Sequence, residues 1–254
     1  MTRNEFKKKI IIGSANFNKR YGVDFTRIKN KEIKKILDLL KKKNIYKIDT
    51  AESYFEGKYF LKDIDKKFQF TTKMCPDYRW VSLDYCKNKI DNHFIKFNVN
   101  KVETLLFHNF DILFDKVGPK VFKNIETLKK NYFKKIGLSV YDTKHLSYLT
   151  SKYNIDVIQA PFNILDKRIV NSGWLKRLKY KGIEVQARSI FLQGILLNKF
   201  LYKKKYFKKW KKIFENWFQI LEKNNISAVD YCISDLLNYN FDKIIVGINS
   251  YNDL

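Results

Sequence analysis

The amino-acid sequence predicts a (β/α)₈ barrel, and three observations support this fold class. Eight short runs rich in β-branched and aromatic residues recur along the chain, and the segments between them have helical periodicity. A length of 254 residues is typical of eight such strand–helix units. An open doubly wound sheet is the competing fold, but no G-x-G-x-x-G follows the first run. Because there is no low-complexity linker, we expect one domain over residues 1–254.

Each predicted strand is a short apolar run, and each predicted helix is a longer polar segment with an apolar stripe. In chain order, the predicted strands are Ile10–Ala15, Tyr46–Ala51, Gln69–Met74, Val102–His108, Lys135–Tyr141, Asp156–Phe162, Ile183–Ile190 and Lys243–Ile248. The clearest helical stripes are formed by Ile33, Ile36, Leu37, Leu39 and Leu40, and by Val121, Ile125 and Leu128.

The cysteine content and the apolar runs indicate where the protein resides. Cys75, Cys86 and Cys232 are an odd number, widely separated and without metal-ligand spacing, so neither a disulfide framework nor a metal site is expected. No apolar run approaches the length of a membrane span. The sequence therefore predicts a cytoplasmic protein that does not bind a membrane.

The formal net charge of +25 suggests nucleic acid as a partner, but the composition favours another explanation. Of the 51 basic residues, 44 are lysine and 7 are arginine, whereas proteins that read bases and phosphates favour the planar arginine fork. A+T-rich coding accounts for this lysine excess, and a general attraction for anionic substrates is the alternative. The densest basic stretch, residues 199–212, leads into aromatic residues spaced by three and four, which indicates a buried helical stripe. We therefore expect no nucleic-acid partner.

Polar side chains stand at the ends of three consecutive predicted strands. Asp49 closes the second strand, Lys73 the third and His108 the fourth, and Tyr54 follows one turn after Asp49. Because the carboxyl ends of the strands of such a barrel meet at one rim, we expect these four side chains to converge there.

This set of residues is suited to protonating an oxygen atom. A tyrosine with its ordinary pKa of ~10 is a poor proton donor at neutral pH. We expect the Lys73 ammonium to lower the pKa of Tyr54, and a buried Asp49 to keep the lysine charged and oriented. His108 would hydrogen-bond a carbonyl oxygen and orient it. Any one of these residues has an ordinary structural explanation, but the four together favour catalysis.

The motifs Asp49-Thr-Ala-Glu-Ser-Tyr54, Thr-Thr-Lys73 and Leu-Leu-Phe-His108 resemble those of the aldo-keto reductases, which are NAD(P)H-dependent carbonyl reductases on a (β/α)₈ barrel. The resemblance extends in order over nearly the whole chain. It implies that Tyr54 is the general acid, that Lys73 and Asp49 tune it, and that His108 orients the substrate carbonyl.

The resemblance also implies a set of cofactor-binding residues. Ser139, in Ile-Gly-Leu-Ser, and Gln159, in Val-Ile-Gln-Ala-Pro-Phe-Asn, are expected to contact the nicotinamide amide, with Asn163 beside them. The segment 188–194 is similar to the family's pyrophosphate loop, and residues 246–250 to its adenosine-phosphate site. From these two segments we expect contacts by Arg188, Ser189, Leu192, Gln193, Gly194, Asn249 and Ser250.

The chain departs from the family pattern at three places. Phe55 follows the tyrosine where the family commonly has glycine, and Arg188 stands where an aromatic ring often stacks on the nicotinamide. The chain ends at Leu254, whereas the family usually continues through a helix that supplies an arginine for the 2′-phosphate. We therefore expect a barrel shortened at its carboxyl terminus that uses NADPH, with NADH as the alternative.

The expected function is reduction of an aldehyde or ketone to an alcohol, and the expected partner is a small polar carbonyl compound. The shortened terminus motivates a second hypothesis, a catalytically weak barrel that serves as a scaffold or regulatory subunit. Nothing in the sequence indicates an oligomeric state.

Overall fold

The computed structural model describes residues 2–18, 20–23, 27–54 and 64–254. Within these residues, parallel strands form a closed barrel in which each strand pairs with its neighbours in chain order, and the last pairs with the first. The strands are β1 (Ile10–Gly13), β2 (Lys47–Asp49), β3 (Gln69–Met74), β4 (Val102–Phe107), β5 (Phe133–Ser139), β6 (Val157–Pro161), β7 (Glu184–Arg188) and β8 (Lys243–Gly247). Every predicted run contains a strand, so the predicted (β/α)₈ barrel is confirmed.

Helices surround the barrel and connect successive strands. They are α1 (Arg3–Lys9), α2 (Ala15–Asn18), α3 (Asn30–Lys42), α4 (Leu83–Phe94), α5 (Gly118–Tyr132), α6 (Leu146–Lys152), α7 (Arg168–Asn171), α8 (Trp174–Tyr180), α9 (Lys211–Lys223) and α10 (Ala228–Leu237). α1 precedes the first strand and therefore lies at the amino end of the barrel. The β2–β3 connection includes residues 55–63, among them Phe55, which lie outside the described residues. A 3₁₀ turn, Tyr251–Asp253, follows β8.

The helices bury their apolar stripes against the outer faces of the strands. α3 buries four of its five predicted stripe residues, with Leu39 half-buried, and α5 buries Val121, Ile125 and Leu128. α9 buries Phe214, Trp217 and Leu221 in a second, smaller apolar cluster, while the lysines around its start are exposed. The buried stripe predicted for the basic, aromatic stretch is thus confirmed. In the described part of the chain, none of the helices combines the length and the apolar character needed to cross a membrane.

The interior of the barrel is unusually polar. Such barrels are generally filled by branched apolar side chains, yet Lys73, Asp49, Thr71, Gln159 and Gln186 are each no more than 4% exposed. A buried polar group requires hydrogen-bond partners, because leaving it unsatisfied costs about 1–3 kcal/mol. The interior side chains must therefore bond to one another.

One glycine is required by the close approach of β5 and β6. A Cβ atom on Gly137 would lie 2.2 Å from the carbonyl oxygen of Val157 and 2.7 Å from Cδ2 of Leu106. The Val157 oxygen belongs to the backbone of β6, which cannot withdraw without disturbing the pairing of the two strands.

We predict that Gly137→Ala lowers the free energy of unfolding by about 3 kcal/mol, the upper range for overpacking a core. Gly247→Ala is the matched control, because apart from its chain neighbours no described residue comes within 4 Å of a Cβ at that strand position. Its effect should stay within about 0.5 kcal/mol. Urea unfolding measures both variants. Equal stabilities for the two would contradict the prediction.

Candidate active site

The polar residues predicted from the strand ends do meet at the carboxyl end of the barrel. Asp49 is the last residue of β2, Lys73 is the penultimate residue of β3, and His108 directly follows β4. The backbone N–H of His108 donates to the carbonyl of Met74 at 2.8 Å, which ties the two strand ends together. Tyr54 ends a 3₁₀ turn that begins three residues after Asp49.

A buried ion pair lies at the centre of this site. The ammonium group of Lys73 donates to Oδ1 of Asp49 and, at 3.1 Å, to the carbonyl of Thr50. The other carboxylate oxygen, Oδ2, accepts a hydrogen bond from Nε2 of Gln159 at 2.8 Å. Burial lowers the pKa of Lys73, and the negative charge of Asp49 opposes that change. The carboxylate therefore favours the charged form of the lysine in a site that water hardly reaches.

Tyr54 and His108 lie beside this ion pair. The Lys73 Nζ atom is 5.6 Å from the centroid of the Tyr54 ring, and the ring of His108 stands perpendicular to that of Tyr54 at 6.1 Å. Burial, followed by the nearby carboxylate of Asp49, raises the pKa of Tyr54, while Arg188 lowers it. The expectation that Lys73 lowers the pKa of Tyr54 is therefore wrong for the free protein. The lysine charge is largely balanced by Asp49, and the phenol keeps its proton at neutral pH.

His108 is neutral in this environment. Burial, reinforced by the positive charge of Lys73, lowers the pKa of His108 to about 4. A neutral imidazole carries one N–H and one acceptor nitrogen, so it can donate a single hydrogen bond without introducing a further charge. This is the property that orienting a carbonyl oxygen requires.

Gln159 connects the ion pair to the rest of the barrel interior. Its Nε2 atom donates both to Asp49 and, at 3.1 Å, to Oε1 of Gln186. This uses both amide protons, and Oε1 of Gln159 is buried without a hydrogen-bond partner among the described residues. Ser139, also buried, is paired with Gln159 across β5 and β6. Gln186 is not among the residues predicted from the sequence, although the polar alternation of Glu184, Gln186 and Arg188 along β7 indicates an interior position.

Arg188 ends β7 at the same rim. Its guanidinium donates to the carbonyl of Val140 at 3.0 Å and to the hydroxyl of Ser189 at 3.2 Å, and it lies 4.5 Å from the centroid of the Tyr141 ring. Its Nε atom is buried without a hydrogen-bond partner in the described part of the chain. Arg188 thus stacks on an aromatic side chain of the protein, and its stacking on a nicotinamide stays a prediction.

The loop after β7 has unusual backbone geometry. Ser189, Leu192, Gln193 and Gly194 have φ angles of 59°, 46°, 55° and 90°, all in the left-handed region. Non-glycine residues adopt this region rarely, and such strain is concentrated at functional sites. Backbone N–H groups in mixed left- and right-handed turns can form concave sites for anions. The side-chain amide of Asn163 supports this loop by donating to the Ser189 carbonyl at 3.2 Å.

Asn249 and Ser250 follow β8 at the same end of the barrel, but their polar groups are already engaged. The carboxylate of Asp253 accepts from the backbone N–H of Asn249 at 2.6 Å and of Ser250 at 3.1 Å, and from the Ser250 hydroxyl at 2.9 Å. The Asn249 side chain accepts a hydrogen bond from Asn16 of α2. A 2′-phosphate at this place would meet the negative charge of Asp253.

A sequence model of the Aldo/keto reductase family matches residues 9–254. The chain belongs to this family. Structures of other aldo-keto reductases share its fold at low sequence identity. The holo form of an enzyme from Bacillus halodurans superposes with a TM-score of 0.75 at 16% identity, covering 96% of this chain and 83% of that one. A glycerol dehydrogenase from Gluconobacter oxydans gives 0.69 at 14% identity, with coverages of 96% and 83%.

A third structure, a thermostable aldo-keto reductase in complex with the inhibitor epalrestat, has a TM-score of 0.70 at 18% identity and coverages of 96% and 86%. No curated protein matches this chain in sequence. At these identities, the structural likenesses establish the fold.

Family membership implies a nicotinamide cofactor, and the residues at this rim fit one. The unpartnered Oε1 of Gln159 is a buried acceptor for the N–H₂ of a carboxamide, with Ser139 beside it. The loop that begins at Ser189 has the left-handed turns from which concave anion sites are built, although the N–H groups of Leu192 and Gly194 donate within the loop itself. These observations support a cofactor-binding role for the two segments.

We predict that the imidazole of His108 titrates at about pH 4. The folded protein should therefore hold it neutral at higher pH, whereas in the unfolded chain it gains a proton below about 6.5. The resulting stability is present above that pH and lost as the pH falls towards 4. Nuclear magnetic resonance of labelled imidazoles measures the midpoint, with His108→Gln assigning the signal. A midpoint near 6.5 would contradict the burial argument.

Proposed function

We propose that this protein reduces the carbonyl group of a small polar aldehyde or ketone to an alcohol, with NADPH or NADH as the reductant. One observation carries the proposal: Tyr54, His108 and the buried Lys73–Asp49 pair converge at one barrel mouth, with the two rings 6.1 Å apart. When bound there, the reduced nicotinamide would supply the hydride for the carbonyl carbon.

The protein's own residues would provide the proton and orient the substrate. The neutral His108 donates a hydrogen bond to the carbonyl oxygen and places it beside the Tyr54 hydroxyl. Tyr54 then gives its proton to that oxygen as negative charge develops on it, which yields the alcohol and a phenolate. The Lys73 ammonium, held by Asp49, stabilises that phenolate until a proton from solvent restores the phenol. Because burial raises the pKa of Tyr54, the phenol is a weak acid in the free protein. It therefore gives up its proton only when the carbonyl oxygen becomes strongly basic.

The three cysteines of the chain support a reducing, intracellular setting for this reaction. Cys75, Cys86 and Cys232 are all free thiols. We infer that the protein works in the cytoplasm, where such thiols stay reduced and reduced nicotinamide is available.

Tyr54→Phe should lower kcat for an aldehyde substrate by roughly 10²-fold or more, because it removes the general acid, and should leave cofactor affinity unchanged. The assay is NADPH oxidation with a panel of small aldehydes, together with a fluorescence titration of the cofactor. Tyr21→Phe is the matched control, since its ring lies 6.2 Å from that of Tyr54. If Tyr54→Phe retained turnover within about threefold of the unmodified protein, Tyr54 would not be the proton donor.

A protein that binds NADPH but turns over none of the aldehydes would favour the scaffold or regulatory hypothesis instead. Failure to bind either nucleotide would contradict the proposed function altogether.

We further expect NADPH to be preferred over NADH by less than about tenfold, or ~1.4 kcal/mol, because Asp253 occupies the donors that a 2′-phosphate would use. Asp253→Asn removes the repulsive charge and should strengthen NADPH binding by about fivefold while leaving NADH binding unchanged. Asp230→Asn is the matched control, because Asp230 forms a similar turn with Ser227 on α10. A hundredfold NADPH preference in the unmodified protein that persists at high salt would show a specific phosphate site elsewhere.

A further inference from the structure

A cavity lies at the floor of the barrel, at the end opposite to Tyr54. It has a volume of about 220 Å³ and is bounded by the amino ends of the strands. Its lining includes Lys47 at the start of β2, Lys135 in β5, Glu184 at the start of β7 and Lys243 at the start of β8. Since branched apolar side chains usually fill this part of such a barrel, ionisable groups around a cavity call for a physical explanation.

The charges around the cavity are not balanced. Glu184 forms an ion pair with Lys135. The other acidic residue of the lining is Glu103, which forms an ion pair with Lys134 at 2.8 Å. Lys47 and Lys243 have no carboxylate within 4.0 Å among the described residues. Two ammonium groups are thus left without an anionic partner.

These two lysines share one weak acceptor. Lys47 donates to the carbonyl oxygen of Lys8, near the end of α1, at 3.5 Å, and Lys243 donates to the same oxygen at 3.1 Å. The ammonium groups therefore lie side by side, and the charge of Lys243 disfavours that of Lys47. Burial, together with the neighbouring Lys243, lowers the pKa of Lys47 to about 8, although Glu184 and Glu103 act in the opposite direction.

We propose that this floor cavity binds a small oxyanion, of the inorganic phosphate or sulfate class, between the ammonium groups of Lys47 and Lys243. An anion there would convert two mutually repelling cations into two charge-assisted hydrogen bonds. The neutral side chains of Gln69, Thr71 and Gln186 line the same cavity and offer further donors. The site is separate from the proposed active site and does not depend on the proposed function.

The volume of the cavity is sufficient for the proposed ligand. It accommodates one tetrahedral oxyanion together with a few waters. The pairing of both glutamates with lysines keeps the lining net positive, which favours an anion over a cation.

The test is a calorimetric titration of the full chain with sodium sulfate, matched in ionic strength by sodium chloride. Sulfate keeps its double charge over the whole pH range in which lysine titrates. Low millimolar concentrations avoid its general stabilising effect on proteins. We expect saturable binding with one sulfate per chain, weakened at least about tenfold by Lys47→Met and by Lys243→Met.

Lys101→Met is the matched control, because Lys101 likewise donates to a backbone carbonyl, that of Lys130 near the end of α5, but lies outside the cavity. It should leave sulfate binding unchanged. If all three variants weakened binding equally, or if the unmodified protein showed no saturable binding, the proposal would be overturned. The lysines would then only hold α1 in place around a water-filled cavity.

The pH dependence provides an independent readout. Lys47 must be protonated to bind the anion, so affinity should fall as the pH rises through about 8. The charged groups that line the cavity with Lys47 are Lys243 on β8, Glu184 on β7, Glu103 on β4 and Lys135 on β5. In Lys47→Met this decline should disappear. A decline of the same size in Lys47→Met and the unmodified protein would also overturn the proposal.

Discussion

The buried ion pair between Lys73 and Asp49 is the constraint on which the rest of the interior depends. Each of two charges that are buried away from water needs hydrogen-bond partners of its own. Removing one member of such a pair leaves the other charge uncompensated and costs about 3–5 kcal/mol. Lys73 is satisfied by Asp49 and by the carbonyl of Thr50, and the second oxygen of Asp49 by Gln159. Gln159 in turn requires Gln186. A barrel that places this pair at its mouth must therefore carry polar side chains further down its axis.

That requirement produces a continuous network from the mouth towards the floor. Gln186 donates from Nε2 to Glu184 at 2.8 Å, and Glu184 accepts from Lys135 at the amino end of the barrel. The orientation of the Gln159 amide is fixed, because turning it over would place its oxygen against the Asp49 carboxylate. The hydrogen bonds of this series therefore all have one defined donor and one defined acceptor. Within the described part of the chain, this network leaves Oε1 of Gln159 without a hydrogen-bond partner. The same polar interior leaves a cavity, rather than a packed apolar layer, at the floor.

The electrostatics of the mouth follow from the same pair. The charge of Lys73 is balanced by the adjacent carboxylate of Asp49. Burial and that carboxylate therefore dominate the environment of the Tyr54 phenol and raise its pKa in the free protein. His108 experiences the same burial, and its charged form is disfavoured. A protonated phenol and a neutral imidazole are the states that proton donation to a carbonyl oxygen requires. The loop that begins at Ser189, with its left-handed backbone, completes the rim.

The strands and the polar residues at their ends could be predicted from the amino-acid sequence. Apolar runs of strand length are local patterns, and a closed barrel brings every strand end to one rim, so Asp49, Tyr54, Lys73 and His108 could be placed together. The pKa direction of Tyr54, the partners of Gln159 and the proximity of Lys47 and Lys243 at the floor depend instead on how distant segments pack together. Gln159 and Asp49 are separated by 110 residues. No local pattern encodes whether two such side chains touch, because that depends on the tilt and register of strands brought together by the whole fold.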